Sequence, residues 1–245
     1  MRIWVSRPEP GAARTARRLE ALGHAALVAP VLRIVPTGAP PPQGGFDGLI
    51  LTSGNAVPAT EGVPRDLPVF AVGARTAERA RRAGFSQIRC AEGDAVDLAA
   101  LVTKTLRPGS SLLHAAGEDR KAEPTASLAA AGFSVAVWSA YAARAEGALP
   151  EVAARALRDG ESAGPAAVLH FSRRSARAAA ELCREAGLMG AFRALNHYCL
   201  SPDVAAGLAE FGLAAHFVAT RPSEDALLAG LPPSDRPSPA RQAPG

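Results

Sequence analysis

Four stretches of this chain recur, in the same order, further along it. Residues 5–23 lie over 114–132, 49–57 over 168–176 and 72–84 over 200–212, and Asp94 lies over Ser223, at offsets of 109, 119, 128 and 129. The offsets drift with loop length and never reverse. Any two alanine-rich α/β segments share some features, but four units in one order point to a tandem duplication. The repeated units also state their own local structure. Asp47–Val57 and Val69–Gly84 each open as an apolar run of strand length and pass through a Ser/Thr/Gly turn. In the second, the period then becomes helical, with Ala77, Ala80 and Ala83 inward and Arg75, Arg79, Arg81 and Arg82 outward. These are βα units, and small polar residues at the strand ends leave backbone N–H groups free for an anion.

A chain of 245 residues can hold two such domains, each with its own core. It is 48% hydrophobic with only 5% aromatic residues, so the interior is built from Ala, Leu and Val. That suits helices laid on parallel sheets and suits an aromatic-stacking nucleic-acid binder poorly. The net charge of +4 admits an acidic ligand but lacks the dense basic stripe of a nucleic-acid protein. Arg7 and Pro8 interrupt the first apolar run before a signal sequence could form, and no apolar run reaches the length of a membrane span. Cys90, Cys183 and Cys199 are widely spaced among apolar residues and read as buried thiols in a reduced cytoplasm.

In chain order, the pattern predicts strands at 2–6 and 25–30 around a helix ending near Leu22. An extended connector at 31–35 follows between Pro30 and Pro36, and then a Pro/Gly loop at 38–45. Past the organising stretch come a strand at 87–90, a helix at 94–106 capped by Asp94, a strand at 111–115 and a helix at 124–131. A long β run covers 133–142. The second half gives strands at 167–172, 196–200 and 216–219 and helices from Arg174, Pro202 and Ser223, the last capped by Ser223.

The familiar catalytic signatures are missing. There is no phosphate-loop or dinucleotide fingerprint, no nucleophile elbow, and none of the five histidines belongs to a metal-binding pattern. His114 and His170 sit within strands and read as packed side chains. What remains is a series of turns: Ser6-Arg7, Thr52-Ser53-Gly54, Gly73 to Thr76, Gly117 to Arg120, Ser172 to Arg174, and Ser201. Each alone is an ordinary helix cap. Together, at the ends of consecutive parallel strands, they describe a cleft between two domains, rimmed by backbone donors and guanidinium groups and suited to a polycarboxylate. Tyr141 is either an unremarkable strand residue or, at the mouth of such a cleft, a proton donor.

The order S-R-P, D-G-L-I-L-T-S-x-N-A-V, A-V-G-x-x-T-A, W-S-A-Y, V-L-H-F-S and A-x-x-P-S-x-x-A-L-L over residues 1–231 resembles the uroporphyrinogen-III synthase family. The resemblance implies an α/β fold of two flavodoxin-like, three-layer, parallel-sheet domains. Residues 1–30 with 147–231 would form one domain and 37–138 the other. Residues 31–36 and 139–146 would be the connecting ladder, and 232–245 a disordered tail. It implies cyclisation of hydroxymethylbilane with inversion of its last ring through a spiro intermediate. It also implies no cofactor and no metal, a cytoplasmic monomer, and transient contact with hydroxymethylbilane synthase. Tyr141 matches the family's connector tyrosine and would donate the proton. Ser53 and Thr76 match its hydroxyls at the cleft, and Arg7, Arg120, Ser172 and Ser201 are the further expected substrate contacts. The chain departs from the family at Leu200–Val204, where Asp203 takes the place of a threonine and sets an acid beside a polyanion. A hinged binding protein without catalysis is the competing reading. A nucleotide-dependent oxidoreductase lacks its fingerprint.

Overall fold

The computed structural model describes residues 1–160 and 163–234; the predicted tail from 235 onward lies outside them. In chain order the first elements are β1 (Arg2–Val5), α1 (Gly11–Ala21), β2 (Ala25–Val28), β3 (Leu32–Pro36), β4 (Gly48–Leu51), β5 (Val69–Val72), α2 (Gly73–Arg82), β6 (Ile88–Ala91), α3 (Ala95–Thr105) and β7 (Ser111–Gly117). They continue with α4 (Thr125–Ala130), β8 (Ser134–Ala145), α5 (Glu151–Arg158), β9 (Ala167–His170), α6 (Arg173–Glu185), α7 (Met189–Arg193), β10 (Asn196–Cys199), α8 (Pro202–Ala209), β11 (Phe217–Val218) and α9 (Glu224–Ala229). The chain forms two compact units, the first from residues 1–33 and from 144 onward, the second from 34–143.

The first unit holds a parallel sheet in the order β2-β1-β9-β10-β11. Numbered along the chain within that unit, this is 2-1-3-4-5, the flavodoxin-like order. The second unit holds β8-β7-β4-β5-β6, again parallel, with β3 added beside β8. The two orders correspond strand for strand: β7 and β8 stand where β1 and β2 stand, and β4, β5 and β6 stand where β9, β10 and β11 stand. These are the pairs of the internal repeat. The duplication is therefore expressed in space, with the first two strands of each copy completing the sheet of the other.

Alternation along each strand divides the side chains between two cores, as a sheet covered on both faces requires. In the second unit Leu49, Leu51, Val69, Leu113 and Ala115 pack with Ala80 of α2 on one face. Ile50, Phe70 and Leu112 pack with Leu98 and Val102 of α3 and Leu128 of α4 on the other. In the first unit Ile3, Val5, Leu169 and Tyr198 meet Ala12 and Leu19 of α1 and Leu227 of α9. The opposite face is more aromatic. There the fully buried Trp4 donates its indole N–H to the Ala29 carbonyl at 2.8 Å and packs edge-on against Phe192.

Three local expectations need correction. The Asp47–Val57 unit is not followed by an α-helix: Val57–Thr60 is a single 3-10 turn. Pro58 removes a backbone donor, and Gly62 and Pro64 then prevent elongation. The helices α5 and α7 went unread, although Glu151 in the first turn of α5 and the buried Ala153, Ala154 and Leu157 form an ordinary amphipathic start. Cys183 and Cys199 are buried, and burial pushes both thiols up to about 12; Cys90 is only partly buried, because β6 is a sheet edge. Among the described residues, no helix is long and apolar enough to cross a membrane.

His170 and His197 lie stacked with ring centroids 5.3 Å apart, on neighbouring strands and beneath Phe192. Their hydrogen bonds fix the tautomers. The Phe192 carbonyl can only accept, so His197 Nε2 carries the proton that it shares at 3.1 Å. His197 Nδ1 must then accept, and His170 Nε2 donates to it at 3.1 Å. Both rings are neutral. Burial pushes His170 well down and His197 down to about 4, the Phe192 contact only partly opposing it.

Two measurements test this packing. A depressed histidine pKa means the unfolded chain binds the extra proton, so the stability is complete above about pH 6.5 and is lost as pH falls towards 4. Unfolding in urea at pH 5 is expected to cost about 4 kcal/mol less than at pH 7, about 2 for each ring; a pH-independent value would place charged or exposed rings here. Gly207 lets α8 approach α6 closely, because a Cβ there would fall 2.9 Å from the Arg173 backbone oxygen. Gly207→Ala is expected to destabilise by about 1–3 kcal/mol, read as a lowered melting temperature.

Candidate active site

In the first unit, Arg7, Ser172 and Ser201 follow β1, β9 and β10, three adjacent strands, and so share the carboxyl edge of one sheet. Ser172 is the N-cap of α6, its Oγ accepting from Ser175 N–H at 3.1 Å. Ser201 caps α8 by accepting from Val204 N–H at 3.4 Å. Arg7 lies over the Phe171 ring, its guanidinium carbon 4.1 Å from the centroid. It also reaches Glu224 at 3.8 Å.

Glu224 organises that corner. Its carboxylate accepts from the Thr15 hydroxyl at 2.6 Å and pairs with Arg14 at 3.4 Å and Arg18 at 3.3 Å, besides Arg7. Burial alone would push this carboxyl up. The Thr15 hydroxyl and the charges of Arg14, Arg7 and Arg18 outweigh burial and hold it below the ordinary carboxylate range. The pattern was half legible: Ser223 was read as a cap, and its Oγ does accept from Ala226 N–H. The role of the glutamate that follows was not.

Asp203 is less unfavourable than its position in the sequence implies. It lies 3.5 Å from Arg173, which also pairs with Glu210 at 2.7 Å. The acid's charge is thus already answered by a guanidinium from the neighbouring helix, although an exposed pair adds little stability.

In the second unit, Tyr141, Arg120, Ser53 and Thr76 belong to β8 and to the turns after β7, β4 and β5, again consecutive strands meeting one edge. Ser53 accepts from Asn55 N–H at 3.2 Å, and its carbonyl accepts from Ala56 N–H. Thr76 is buried, 7% exposed, in the first turn of α2. That turn opens with Gly73 at φ +75°, a left-handed conformation unfavourable to any other residue. The corresponding turn in the first unit uses the Ser201 cap instead. Arg120 donates to Ser139 Oγ at 3.2 Å and to the Glu118 carbonyl at 3.3 Å. Tyr141 is half-buried, with its ring beside Gly117. Its hydroxyl has no hydrogen-bond partner among the described residues.

Two further residues join this edge. Arg79, read as solvent-facing, lies across the Ser53 turn: a Cβ on Gly54 would meet Arg79 Cδ at 2.6 Å, and its guanidinium donates to Asn55 Oδ1 at 3.4 Å. His114 is buried between two hydroxyls, Thr52 Oγ1 at 3.4 Å and Thr125 Oγ1 at 3.1 Å. Burial, and then the charge of Arg120, push its imidazole down to about 4, so it is a neutral hydrogen-bonding spacer. Among the described residues, no three His, Cys, Asp or Glu side chains converge on a metal position.

Comparison with known proteins bears directly on this arrangement. No individual curated protein matches the sequence. The structure resembles that of uroporphyrinogen-III synthetase from Helicobacter pylori, with a TM-score of 0.60 and 16% identity over 93% of this chain and 96% of that one. Two structures of uroporphyrinogen III synthase from Thermus thermophilus, one a mutant, match with TM-scores of 0.49 and 0.41. Their identities are 19% and 20%, each over 94% of this chain and 96% of theirs. The Helicobacter structure supports the fold. A family model described as uroporphyrinogen-III synthase HemD matches residues 13–229, most of the chain. The chain belongs to the uroporphyrinogen-III synthase family.

Proposed function

We propose that Tyr141 is the proton donor with which this chain performs its family's reaction. The enzyme is a cyclising lyase: it closes hydroxymethylbilane to uroporphyrinogen III with the last ring inverted and one water lost. The hydroxyl of the hydroxymethyl group leaves as water when the phenol protonates its oxygen; the C–O bond breaks, the methylene carbon stays on the pyrrole, and the ring nitrogen lone pair supplies the electrons. The resulting azafulvenium carbon is attacked by the substituted position of the last ring, giving a spiro intermediate that fragments and recloses. Loss of a proton from the final ring carbon restores the aromatic pyrrole and can return that proton to the phenolate. Most of the task is positioning, since the same substrate closes without inversion when left alone.

The observation that carries the assignment of Tyr141 is its placement on β8, beside the Gly117–Arg120 turn, with a hydroxyl that has no hydrogen-bond partner among the described residues. The carboxyl edge of each unit suits a substrate with eight carboxylates. Arg120 and Arg7 provide guanidinium groups, and Ser53, Thr76, Ser172 and Ser201 stand where strand ends and helix starts present N–H groups. Three free cysteines agree with a reducing cytoplasm. The enzyme works as a monomer that takes its unstable substrate from a transient encounter with hydroxymethylbilane synthase.

The test is an assay with freshly generated hydroxymethylbilane and chromatographic separation of the oxidised products. The type III isomer is expected. Type I alone, the product of uncatalysed closure, would favour a hinged binding protein without catalysis. Tyr141→Phe should lower kcat by about 100-fold with an unchanged melting temperature; unchanged turnover removes it from the mechanism. Arg7→Ala should raise KM by about 10-fold at constant kcat, as loss of a carboxylate contact made in both ground and transition states.

A further inference from the structure

The geometry points to Gly117 as the positioning residue that sets where the Tyr141 hydroxyl sits. The consequence for catalysis rests on the reading of Tyr141 as proton donor. β7 and β8 pair in register as far as Ala115 with Trp138 and Ala116 with Ser139; the next partner of Gly117 is Tyr141, and Ala140 is passed over. In an unbroken ladder Tyr141 would share a sheet face with Ser139 and His114, because successive side chains alternate. The extra residue in β8 turns it to the other face. Ala140 and Tyr141, adjacent in sequence, both pack against the cluster of Leu113, Ala115 and Trp138. The Glu118 N–H donates to the Tyr141 carbonyl at 2.8 Å and closes the far side of the bulge.

The ring then passes over Gly117. A Cβ built there would lie 3.0 Å from Tyr141 Cζ, 3.1 Å from Cε2 and 3.1 Å from the hydroxyl oxygen. The conflict falls at the far end of the ring, on the reacting atoms. Gly117 is not among the positive-φ glycines, so its backbone would accept alanine. Glycine is required here by the phenol and not by the chain: any side chain would push the hydroxyl away while the strands stayed paired. A displacement of a few tenths of an ångström is enough to matter in proton transfer, where reach and alignment set the rate.

The experiment is Gly117→Ala, alone and combined with Tyr141→Phe, with two readouts. With Tyr141 intact, alanine should lower kcat by about 10-fold, leave KM within about 2-fold, and raise the share of type I product. In the Tyr141→Phe background it should add nothing. An equal loss in both backgrounds, or none in the first while Tyr141→Phe itself lowers kcat, overturns the proposal. The second readout needs no turnover. The chain has 2 tyrosines, Tyr141 and Tyr198, so labelling at the ring Cζ gives two carbon resonances, and Tyr141→Phe assigns them. Gly117→Ala should move the Tyr141 resonance and leave that of Tyr198. An unmoved resonance refutes the positioning itself; a moved resonance with unchanged kcat, in an enzyme indifferent to Tyr141→Phe, refutes the proton-donor reading instead.

Discussion

Parallel strands impose a direction on everything else in this protein. A parallel neighbour can be reached only by a crossover that carries the chain back along the sheet, so every strand leaves its sheet at the same edge. The five parallel strands of each sheet obey this. Their carboxyl edges therefore collect the turns, and each turn that opens a helix presents unpaired N–H groups. The protein partly satisfies them itself, through Ser172 and Ser201 in the first unit and Asp94 in the second, where Asp97 completes a capping box. An edge rich in amide dipoles and carrying Arg7 or Arg120 is favourable for carboxylates before any catalytic group is considered.

The repeat was readable because it is written in local terms. Strand and helix periods, the turn residues between them and the closing glycines are properties of ten or twenty residues, and α1, α3, α6 and α9 lie close to where those signals place them. The exchange of strands between the copies is of another kind. Nothing in β1 and β2 states that they pair with β9 and not with β4; that follows from which sheet offers an unpaired edge. The 3-10 turn after β4 shows the converse. There the copies diverged locally, and Pro58 with Pro64 outweighed the analogy to Ser172 and α6.

The site divides along the same line. Ser172, Ser201 and Ser223 could be found because a cap acts on residues two or three places away. The face on which Tyr141 lies could not, because it depends on a single unmatched residue between two strands. Periodicity counted along β8 alone puts Tyr141 with Ser139, the opposite face from the one it occupies. His114 was rightly read as packed, yet its partners Thr52 and Thr125 come from two different turns, so its part in holding them together emerges only in the folded unit. Arg79 was assigned to solvent by helical period, and the missing side chain of Gly54 is what draws it back over the Ser53 turn.

The arginines near Glu224 pose a last question of charge. A carboxylate beside Arg7, which is proposed to bind a polycarboxylate, ought to compete with that ligand. The count argues otherwise: Arg7, Arg14 and Arg18 against Glu224 and Asp225 leave 3 − 2 = +1. Glu224 is also placed asymmetrically. It lies within 3.4 Å of Arg14 and Arg18 and receives the Thr15 hydroxyl, but stands 3.8 Å from Arg7. It therefore relieves the repulsion among three guanidinium groups and spends most of its hydrogen bonding on α1. Arg7 is held from below by the Phe171 face, a contact that consumes none of its N–H donors. The corner keeps a net positive charge.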